Sequence, residues 1–282
     1  MRRLPPSAWR TLLRAALAED LGRAGDVTTR FFVPEGTRFS VRVVSREAGV
    51  VCGLEVAAAA FKACEPRCRV TMLARDGARV RPGQAVMAVR GGRGLLTAER
   101  TALNFLQRLS GVASLTRRFV DRVEGTRARI LDTRKTLPGW RALDKYAVAC
   151  GGGLNHRQGL YDAAMVKDNH YRGGGLKAGV ARLRRAHPRL PLIIECDTPA
   201  QVTRALALKP EVVLLDNMRG PRLRREIRRI RSLAPRVKIE VSGGVGLSEV
   251  RALAKLGPDR ISIGRLTHSA PALDLGLDLS EA

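Results

Sequence analysis

Short apolar segments in the second half of the chain are each followed by polar or charged residues whose types could do chemistry. These residues are Asp132-Thr133-Arg134-Lys135, Lys167-Asp168-Asn169-His170, Glu195 with Asp197, Asp216-Asn217, Ser242-Gly243-Gly244, and Gly264 with Thr267 and His268. In a (β/α) barrel, the carboxyl ends of all the parallel strands face one rim, where active sites are built. The repeated order of apolar segment and polar residues therefore predicts that these side chains converge on one site.

Cations dominate one part of the predicted rim. Arg134, Lys135, Arg157 and Lys167, together with His156, would form a strongly positive pocket. Arginine binds carboxylate or phosphate through two parallel hydrogen bonds, whereas lysine acts as a point charge. We therefore expect an anionic substrate, held by its carboxylate or phosphate groups.

Two carboxylates, Glu195 and Asp216, are predicted to face the same mouth from neighbouring strands. A carboxylate beside cations stays ionised. Such a pair suits Mg²⁺, ribose hydroxyls, or the stabilisation of a positive charge that develops in a transition state. The alternative is that both carboxylates form salt bridges that close the top of the barrel.

Glycine-rich loops supply the third kind of candidate site. Ser242-Gly243-Gly244-Val245-Gly246 follows an apolar segment and precedes a helix predicted to start near Leu247, so its backbone N–H groups could bind phosphate. Gly264 and His268 would flank this loop, although a core or capping role for His268 is an equal alternative. A second loop, Gly151-Gly152-Gly153, ends a helix and leads to His156 and Arg157.

The elements that must position these residues alternate between strand and helix. The predicted strands are Ile130-Leu131, Ala163 to Val166, Leu192 to Ile194, Val212 to Leu215, Val237 to Val241 and Arg260 to Ile263. The predicted helices are Arg141 to Ala149, Leu176 to Ala186, Pro199 to Leu208, Arg222 to Leu233 and Ser248 to Leu256. This order predicts a parallel sheet, either a barrel or an open doubly wound sheet. The first strand lacks a following Gly-x-Gly-x-x-Gly, and an open sheet would split the polar residues between two sides, so we favour the barrel.

The first hundred residues have a different pattern, which predicts an α+β domain. Helices are expected over Ser7 to Asp20 and Gly53 to Ala63, with an alternating strand over Phe39 to Val44. Short strands separated by turns occupy Val70 to Val89. A long helix is predicted to open at Thr97.

Composition bounds the class of protein. With 282 residues, 45% hydrophobic and 27% charged, the chain can bury a core, which excludes overall disorder. No apolar run approaches the ~18 residues of a membrane span, and no apolar stretch follows the basic N-terminus, so we expect a cytoplasmic protein. Five scattered cysteines, an odd number, argue against a disulfide framework.

The net charge of +25, with 43 arginines among 51 basic residues, favours anionic partners. The basic stretch from Arg222 to Arg231 raises the alternative of a nucleic-acid-binding protein. No aromatic residue interleaves with these arginines for base stacking, so we interpret the stretch as the solvated face of an outer helix and expect no nucleic-acid partner.

The rim motifs resemble those of the quinolinate phosphoribosyltransferase family, the carboxylating nicotinate-nucleotide pyrophosphorylases. The resemblance rests on Thr133-Arg134-Lys135-Thr136-Leu137-Pro138-Gly139, Lys145-Tyr146-Ala147-Val148, Gly151 to Arg157, Gly159-Leu160-Tyr161-Asp162, Lys167-Asp168-Asn169-His170, Leu215-Asp216-Asn217, Ser242-Gly243-Gly244 and Gly264 to Ala270. It extends to Glu19 to Gly22, Gly25 to Thr29 and Glu99 to Asn104, so it covers nearly the whole chain. The family often has Glu-x-Glu at the third rim position, where this chain has Ile193 before Glu195.

The resemblance implies an N-terminal α+β sandwich-like domain over residues 1–108 and an incomplete (β/α) barrel over residues 109–269, with the tail 270–282 packing back on the first domain. It implies a pentosyltransferase that transfers phosphoribosyl from phosphoribosyl pyrophosphate to quinolinate, with loss of CO₂, in NAD biosynthesis. It also implies a homodimer, or a higher oligomer, in which each active site borrows Arg100 from the partner chain. A phosphoribosyltransferase for another pyridine carboxylate is the alternative within the same class.

The resemblance further divides the rim between the two substrates. The dicarboxylate would be held by Arg100, Arg134, Lys135, His156, Arg157 and Lys167. The phosphoribosyl group and Mg²⁺ would involve Glu195, Asp216, Ser242, Gly243, Gly244, Gly264 and His268, with Glu195 and Asp216 as the metal ligands. Lys135, Lys167, Glu195 and Asp216 are the predicted catalytic residues.

Overall fold

The computed structural model describes residues 4–167, 169–170 and 175–279, so Asp168 of the second rim motif and the last three residues of the tail lie outside the described part. The chain divides into two compact units. The first consists of residues 1–117, 136–152 and 266–282, and the second of residues 118–135 and 153–265. The chain therefore enters the second unit at residue 118, returns to the first unit over residues 136–152, and enters the second again at residue 153. A single boundary at residue 108 does not describe this path.

The first unit contains helices and short antiparallel strands. Its elements are a 3₁₀ turn over Pro6–Ala8, helices α1 Arg10–Leu21, α2 Val27–Phe32, α3 Leu54–Cys64 and α5 Arg141–Cys150, and strands β1 Phe39–Ser45, β2 Gly49–Val50, β3 Arg69–Met72, β4 Arg79–Val80, β5 Ala85–Gly91 and β12 Leu275–Leu279. The long helix α4, Gly94–Arg122, and the short helix α10, Arg265–His268, run from one unit into the other.

Four strands of the first unit form an antiparallel sheet in the order β12-β1-β5-β3. Alternation in β1 places Val41 and Val43 in the core, where neither is exposed to solvent. The C-terminal strand β12 pairs with β1, with Val43 opposite Leu277. Residues from the end of the chain therefore complete the sheet that the first strand begins.

Helix α4 begins at Gly94, three residues before the predicted start at Thr97. The buried Leu95 and Ala98 extend its apolar face to that point. The Thr97 hydroxyl does not cap the helix; it donates a hydrogen bond of 2.9 Å to Oδ2 of Asp26, which itself caps α2. The predicted domain boundary at residue 108 falls within α4.

Helix α5 is one of the helices predicted to alternate with the barrel strands, but it belongs to the first unit. Trp140 at its start stacks on Phe105 with ring centroids 4.8 Å apart. Asp144 has no exposed side-chain surface, and the guanidinium of Arg108 lies 3.1 Å from its Oδ1. Burial raises the pKa of Asp144, and Arg108 offsets part of that rise. The polar and aromatic contacts of α5 therefore fix it within the first unit.

The second unit is an open barrel of parallel strands. Its strands are β6 Arg129–Leu131, β7 Ala164–Val166, β8 Leu192–Cys196, β9 Val212–Asp216, β10 Lys238–Ser242 and β11 Arg260–Ser262. Its helices are α6 Leu176–Ala186, α7 Pro199–Ala207, α8 Gly220–Leu233 and α9 Val250–Lys255. The six-stranded sheet has the order β6-β11-β10-β9-β8-β7, so the first strand pairs with the last. This is the cyclic order of a barrel with its opening between β6 and β7, and the prediction of an incomplete (β/α) barrel is confirmed.

Alternation along these strands produces a layered interior. Ala163, Ile193, Val212 and Leu214 form a buried apolar cluster against which Met165 packs. The next side chains along the same faces, two residues further toward the carboxyl ends, include Lys167, Glu195 and Asp216. The apolar layer therefore supports a charged layer at the mouth.

The five cysteines are all free. Among the residues that the structure describes, none of the helices combines the length and the apolar character that a membrane span requires.

Two glycines in helices offer a matched test of the packing of the C-terminal segment. A Cβ at Gly111 in α4 would collide with the carbonyl oxygen of Pro271 and lie 2.9 Å from Cα of Ala272, whereas a Cβ at Gly179 in α6 would meet nothing within 4 Å. We expect Gly111→Ala to lower the free energy of unfolding by about 1–3 kcal/mol through overpacking. Gly179→Ala should raise it by up to about 1 kcal/mol, because alanine favours a helix. Denaturant titration measures both, and an unchanged stability in Gly111→Ala would contradict the packing described.

Candidate active site

One cavity of about 520 Å³ opens at the carboxyl ends of the barrel strands. All of the predicted site residues except Arg100 and His268 line this cavity. The predicted residues that line it are Arg134, Lys135, His156, Arg157, Lys167, Glu195, Asp216, Ser242, Gly243, Gly244 and Gly264. Thr133, Met165, Leu214, Asn217, Glu240 and Ser262 complete the lining. Residues spread over more than a hundred positions of sequence therefore meet in one cavity of the second unit.

Arg100 and His268 belong to the first unit. Nδ1 of His268 lies 2.6 Å from the hydroxyl of its neighbour Ser269. The roles predicted for these two residues in substrate binding stay predictions, because the cavity is lined by residues of the second unit alone.

Lys167 and Glu195 form an ion pair at the cavity, with Nζ 2.9 Å from Oε2. Burial raises the pKa of Glu195, the Lys167 ammonium lowers it, and Asp216 and Asp197 add smaller upward contributions. The salt bridge anticipated as an alternative therefore exists. It does not close the mouth, because both residues line the open cavity and the Lys167 side chain keeps about 45% of its surface exposed.

Arg157 is held at the cavity by a backbone contact. Its Nη1 donates to the carbonyl oxygen of Ala163 at 3.0 Å. Burial lowers the pKa of Arg157, and the nearby Arg134 lowers it further, while Asp162 and Glu195 oppose the change. Since a guanidinium stays protonated even so, the two arginines place repelling positive charges side by side. An anion bound between them would relieve that repulsion.

His156 connects to two buried carboxylates, Asp132 and Glu240, the second of which was not among the predicted rim residues. Its backbone N–H donates to Oδ1 of Asp132 at 2.8 Å, and its Nε2 lies 3.2 Å from Oε1 of Glu240. Neither carboxylate has any exposed side-chain surface. Glu240 could have been found from its sequence, because it interrupts an apolar strand two residues before Ser242 and must share its face.

The Ser242-Gly243-Gly244 loop is shaped by close approach to Asn217. Gly243 has a φ of +97°, and a Cβ there would lie 2.9 Å from the backbone nitrogen of Asn217 and would collide with its side-chain amide. The Asn217 amide donates to Oδ2 of Asp216 at 2.8 Å. Only glycine therefore lets the loop pass beside the residue that orients Asp216.

The helix after this loop starts later than predicted. Helix α9 begins at Val250 instead of near Leu247, and it has only six residues. The Gly246 N–H donates to Oε1 of Glu249 at 2.7 Å, so that amide is already used within the chain. The expectation that this helix offers its N-terminus to phosphate stays a prediction, and Ser242, Gly243 and Gly244 are the residues of the loop that line the cavity.

The donors at the mouth fit a magnesium ion in part. Glu195 and Asp216 offer carboxylate oxygens to the same cavity, and Mg²⁺ commonly binds one or two carboxylates together with substrate phosphates and water. Within the described ranges, the one set of three His, Cys, Asp or Glu side chains close enough to share a metal is Cys52, Asp76 and Cys150, in the first unit. The described residues of the mouth therefore do not supply a full set of protein ligands.

Part of the basic stretch on α8 serves the barrel itself. The guanidinium of Arg229 contacts the buried Glu226 at 2.6 Å, and that of Arg231 contacts Asp259 at 2.7 Å. Arg222 donates to the backbone oxygen of Asp197. Arg222, Arg229 and Arg231 therefore have partners within the second unit, and the expectation of no nucleic-acid partner stays a prediction.

An open parallel barrel whose mouth combines fixed cations, two carboxylates and a glycine loop is typical of an enzyme that binds a polyanionic substrate. Comparison with known proteins gives the family. Residues 26–110 match the quinolinate phosphoribosyl transferase N-terminal domain, and residues 112–278 match the C-terminal domain of the same family.

Relatives match along nearly the full chain. A nicotinate-nucleotide pyrophosphorylase [carboxylating] of Mycobacterium leprae is 45% identical over 276 residues, covering 96% of this chain and 97% of the relative. The structure of the nicotinate-nucleotide pyrophosphorylase from Francisella tularensis superposes with a TM-score of 0.92 at 34% identity, over 99% of this chain and 98% of that one. The structure of the nicotinate-nucleotide pyrophosphorylase from Ehrlichia chaffeensis superposes with a TM-score of 0.90 at 36% identity, over 96% of this chain and 98% of that one. The chain belongs to the quinolinate phosphoribosyl transferase family and is a phosphoribosyltransferase.

The raised pKa of Glu195 generates a prediction for pH dependence. If the ionised carboxylate is required, activity should fall on the acid side at a pH above the ordinary range of a glutamate. Asp197→Asn removes one of the negative charges that raise this pKa, so the acid limb of the kcat/KM profile should move to lower pH. The backbone contacts of Asp197 do not depend on its carboxylate. The exposed Asp20→Asn is the control, and an acid limb that moves equally in both variants would contradict the assignment.

Proposed function

We propose that the cavity at the barrel mouth is the active site in which this chain transfers phosphoribosyl from phosphoribosyl pyrophosphate to quinolinate and releases CO₂, giving nicotinate mononucleotide for NAD biosynthesis. The observation that carries the proposal is the separation of charge within one cavity. Arg134, Lys135, Arg157 and Lys167 line it together with the carboxylates Glu195 and Asp216. A dianionic acceptor and a sugar that becomes cationic need both kinds of charge.

The cations select the acceptor. Two guanidinium groups can each bind a carboxylate through paired hydrogen bonds, and two lysines add point charges. Quinolinate carries carboxylates on adjacent ring carbons, one of them beside the ring nitrogen. Holding both carboxylates fixes the direction in which the nitrogen lone pair points. The pocket therefore orients the nucleophile without removing a proton from it.

The carboxylates act on the donor. When the nitrogen attacks the anomeric carbon, the bond from that carbon to the pyrophosphate oxygen breaks, and positive charge develops on the sugar. Glu195 and Asp216, on adjacent strands, are suited to stabilise that charge and to hold the ribose hydroxyls. Ser242, Gly243, Gly244 and Gly264 are suited to bind the phosphates. Glu195 and Asp216 would also hold Mg²⁺, which when bound neutralises the charge of the departing pyrophosphate.

The decarboxylation follows from the product of the first step. Once the ring nitrogen is bonded to ribose, the positively charged ring accepts the electron pair of the bond to the adjacent carboxylate. That carboxylate leaves as CO₂, and a proton takes its place on the ring carbon. The step needs no general base, in keeping with a cavity lined mainly by cations. The remaining carboxylate stays bound to the positive pocket.

The direct experiment measures pyrophosphate and CO₂ together when the chain is incubated with quinolinate, phosphoribosyl pyrophosphate and Mg²⁺. We expect both products in equal amounts. Nicotinate in place of quinolinate tests the alternative acceptor, since it would yield pyrophosphate without CO₂. Failure to form either product from quinolinate would reject the proposed function.

Removing a cation from the cavity should weaken the transition state. Arg134→Ala or Lys167→Ala loses a charge-assisted contact, about 2–4 kcal/mol, which corresponds to a ~30- to 1,000-fold fall in kcat/KM. Arg224→Ala, on the outer helix α8, is the matched control and should keep wild-type turnover. Full activity in both cavity variants would contradict the assignment of these residues.

The homodimer with shared active sites and the cytoplasmic location are further parts of the proposal, supported by the family resemblance. The shared site is tested by mixing inactive Arg100→Ala and Lys167→Ala chains. If each site takes its arginine from the partner, mixed dimers contain one site with both residues intact and regain part of the activity. No recovery, despite subunit exchange shown by mass spectrometry, would reject the borrowed arginine.

A further inference from the structure

Glu240 is a charged side chain with no solvent-exposed surface, placed at the centre of β10 between the buried Ile239 and Val241. It shares its strand face with Ser242 and lines the cavity. Its oxygens accept no well-aligned hydrogen bond from any group in the described part of the chain. An ionised carboxylate in such a place is costly unless a partner meets its charge. The nearest polar partner given by the geometry is Nε2 of His156, 3.2 Å from Oε1.

The hydrogen bonds of His156 assign its tautomer. The backbone N–H of Arg157 donates to Nδ1 of the imidazole at 2.7 Å, so Nδ1 acts as an acceptor and carries no proton. The proton of the neutral ring is then on Nε2, the nitrogen that faces Glu240. Both ring nitrogens of His156 are thus directed at groups of the chain itself.

We infer that Glu240 is a positioning residue: it holds the His156 imidazole in the Nε2–H form, and through Nδ1 the imidazole fixes the backbone of Arg157. The backbone of His156 is fixed from the other side by Asp132, at 2.8 Å. Arg157 then presents its guanidinium to the cavity from an anchored position. His156 then acts on a bound carboxylate through Arg157.

The inference separates two roles that a buried carboxylate could have. A purely structural Glu240 would affect stability, and binding of both substrates would change alike. A positioning Glu240 acts through Arg157, on the side of the cavity where cations dominate, so its loss should affect the acceptor more than the donor. The kinetic part of this reasoning rests on the proposed function, and the assignment of the tautomer does not.

The test compares Glu240→Leu, Glu240→Gln and Glu226→Leu. Leucine fills the buried site without a charge, so the chain is expected to fold. Glutamine keeps an oxygen that can accept the Nε2–H. Glu226 is the matched control, because it is also a nearly completely buried carboxylate of the second unit and is paired with Arg229 on α8.

Nitrogen NMR of the imidazoles is the first readout, and the chain has only four histidines to assign. The wild-type chain, Glu240→Gln and Glu226→Leu should show His156 in the Nε2–H form, and the share of that form should fall in Glu240→Leu. The second readout is steady-state kinetics. Glu240→Leu should raise KM for quinolinate by about tenfold or more while KM for phosphoribosyl pyrophosphate changes less than about threefold, and Glu240→Gln should recover most of the loss.

An unchanged His156 tautomer in Glu240→Leu would overturn the inference, and so would an equal rise in both KM values. If the wild-type chain did not use quinolinate at all, the proposed function would fail. The NMR comparison would still decide whether Glu240 sets the imidazole, since it needs no substrate.

Discussion

Charged side chains meet at one end of a parallel barrel, and this is the constraint on which the rest of the second unit depends. Parallel strands all point their carboxyl ends the same way, so side chains from every strand meet at a single mouth. Burial there makes each charge costly unless an opposite charge or a ligand is close. Lys167 and Glu195 neutralise each other within the chain, whereas Arg134 and Arg157 are neighbouring like charges whose repulsion a bound anion would relieve.

The apolar layer below the mouth makes this arrangement rigid. Ile193 and Leu214 belong to the cluster that fills the barrel, and Glu195 and Asp216 are the next residues on the same strand faces. A shift of one residue in either strand would turn the carboxylate outward and an apolar side chain into the mouth. The packing of the core therefore sets the position of the charges, and the register pairs Asp216 with Ser242 on the adjacent strand.

Much of this was predictable because buried parallel strands are short apolar runs with polar residues at their ends. The strands, most helix bounds and the residues that line the cavity follow from that pattern. Glu240 was missed because it lies inside the predicted strand Val237 to Val241, whereas the candidate residues were those that follow each strand, although the two-residue period places it on the face of Ser242. The membership of α5 in the first unit could not be predicted, since it depends on Trp140 and Asp144 meeting Phe105 and Arg108 from a distant segment.

The glycine run after α5 is required by close packing within the first unit. A Cβ at Gly151 would lie 2.6 Å from Cβ of Thr116 on α4, and Gly152 has a φ of +88° with Arg117 close to it. The end of α5 is therefore pressed against α4 within the first unit, and only glycine allows that approach.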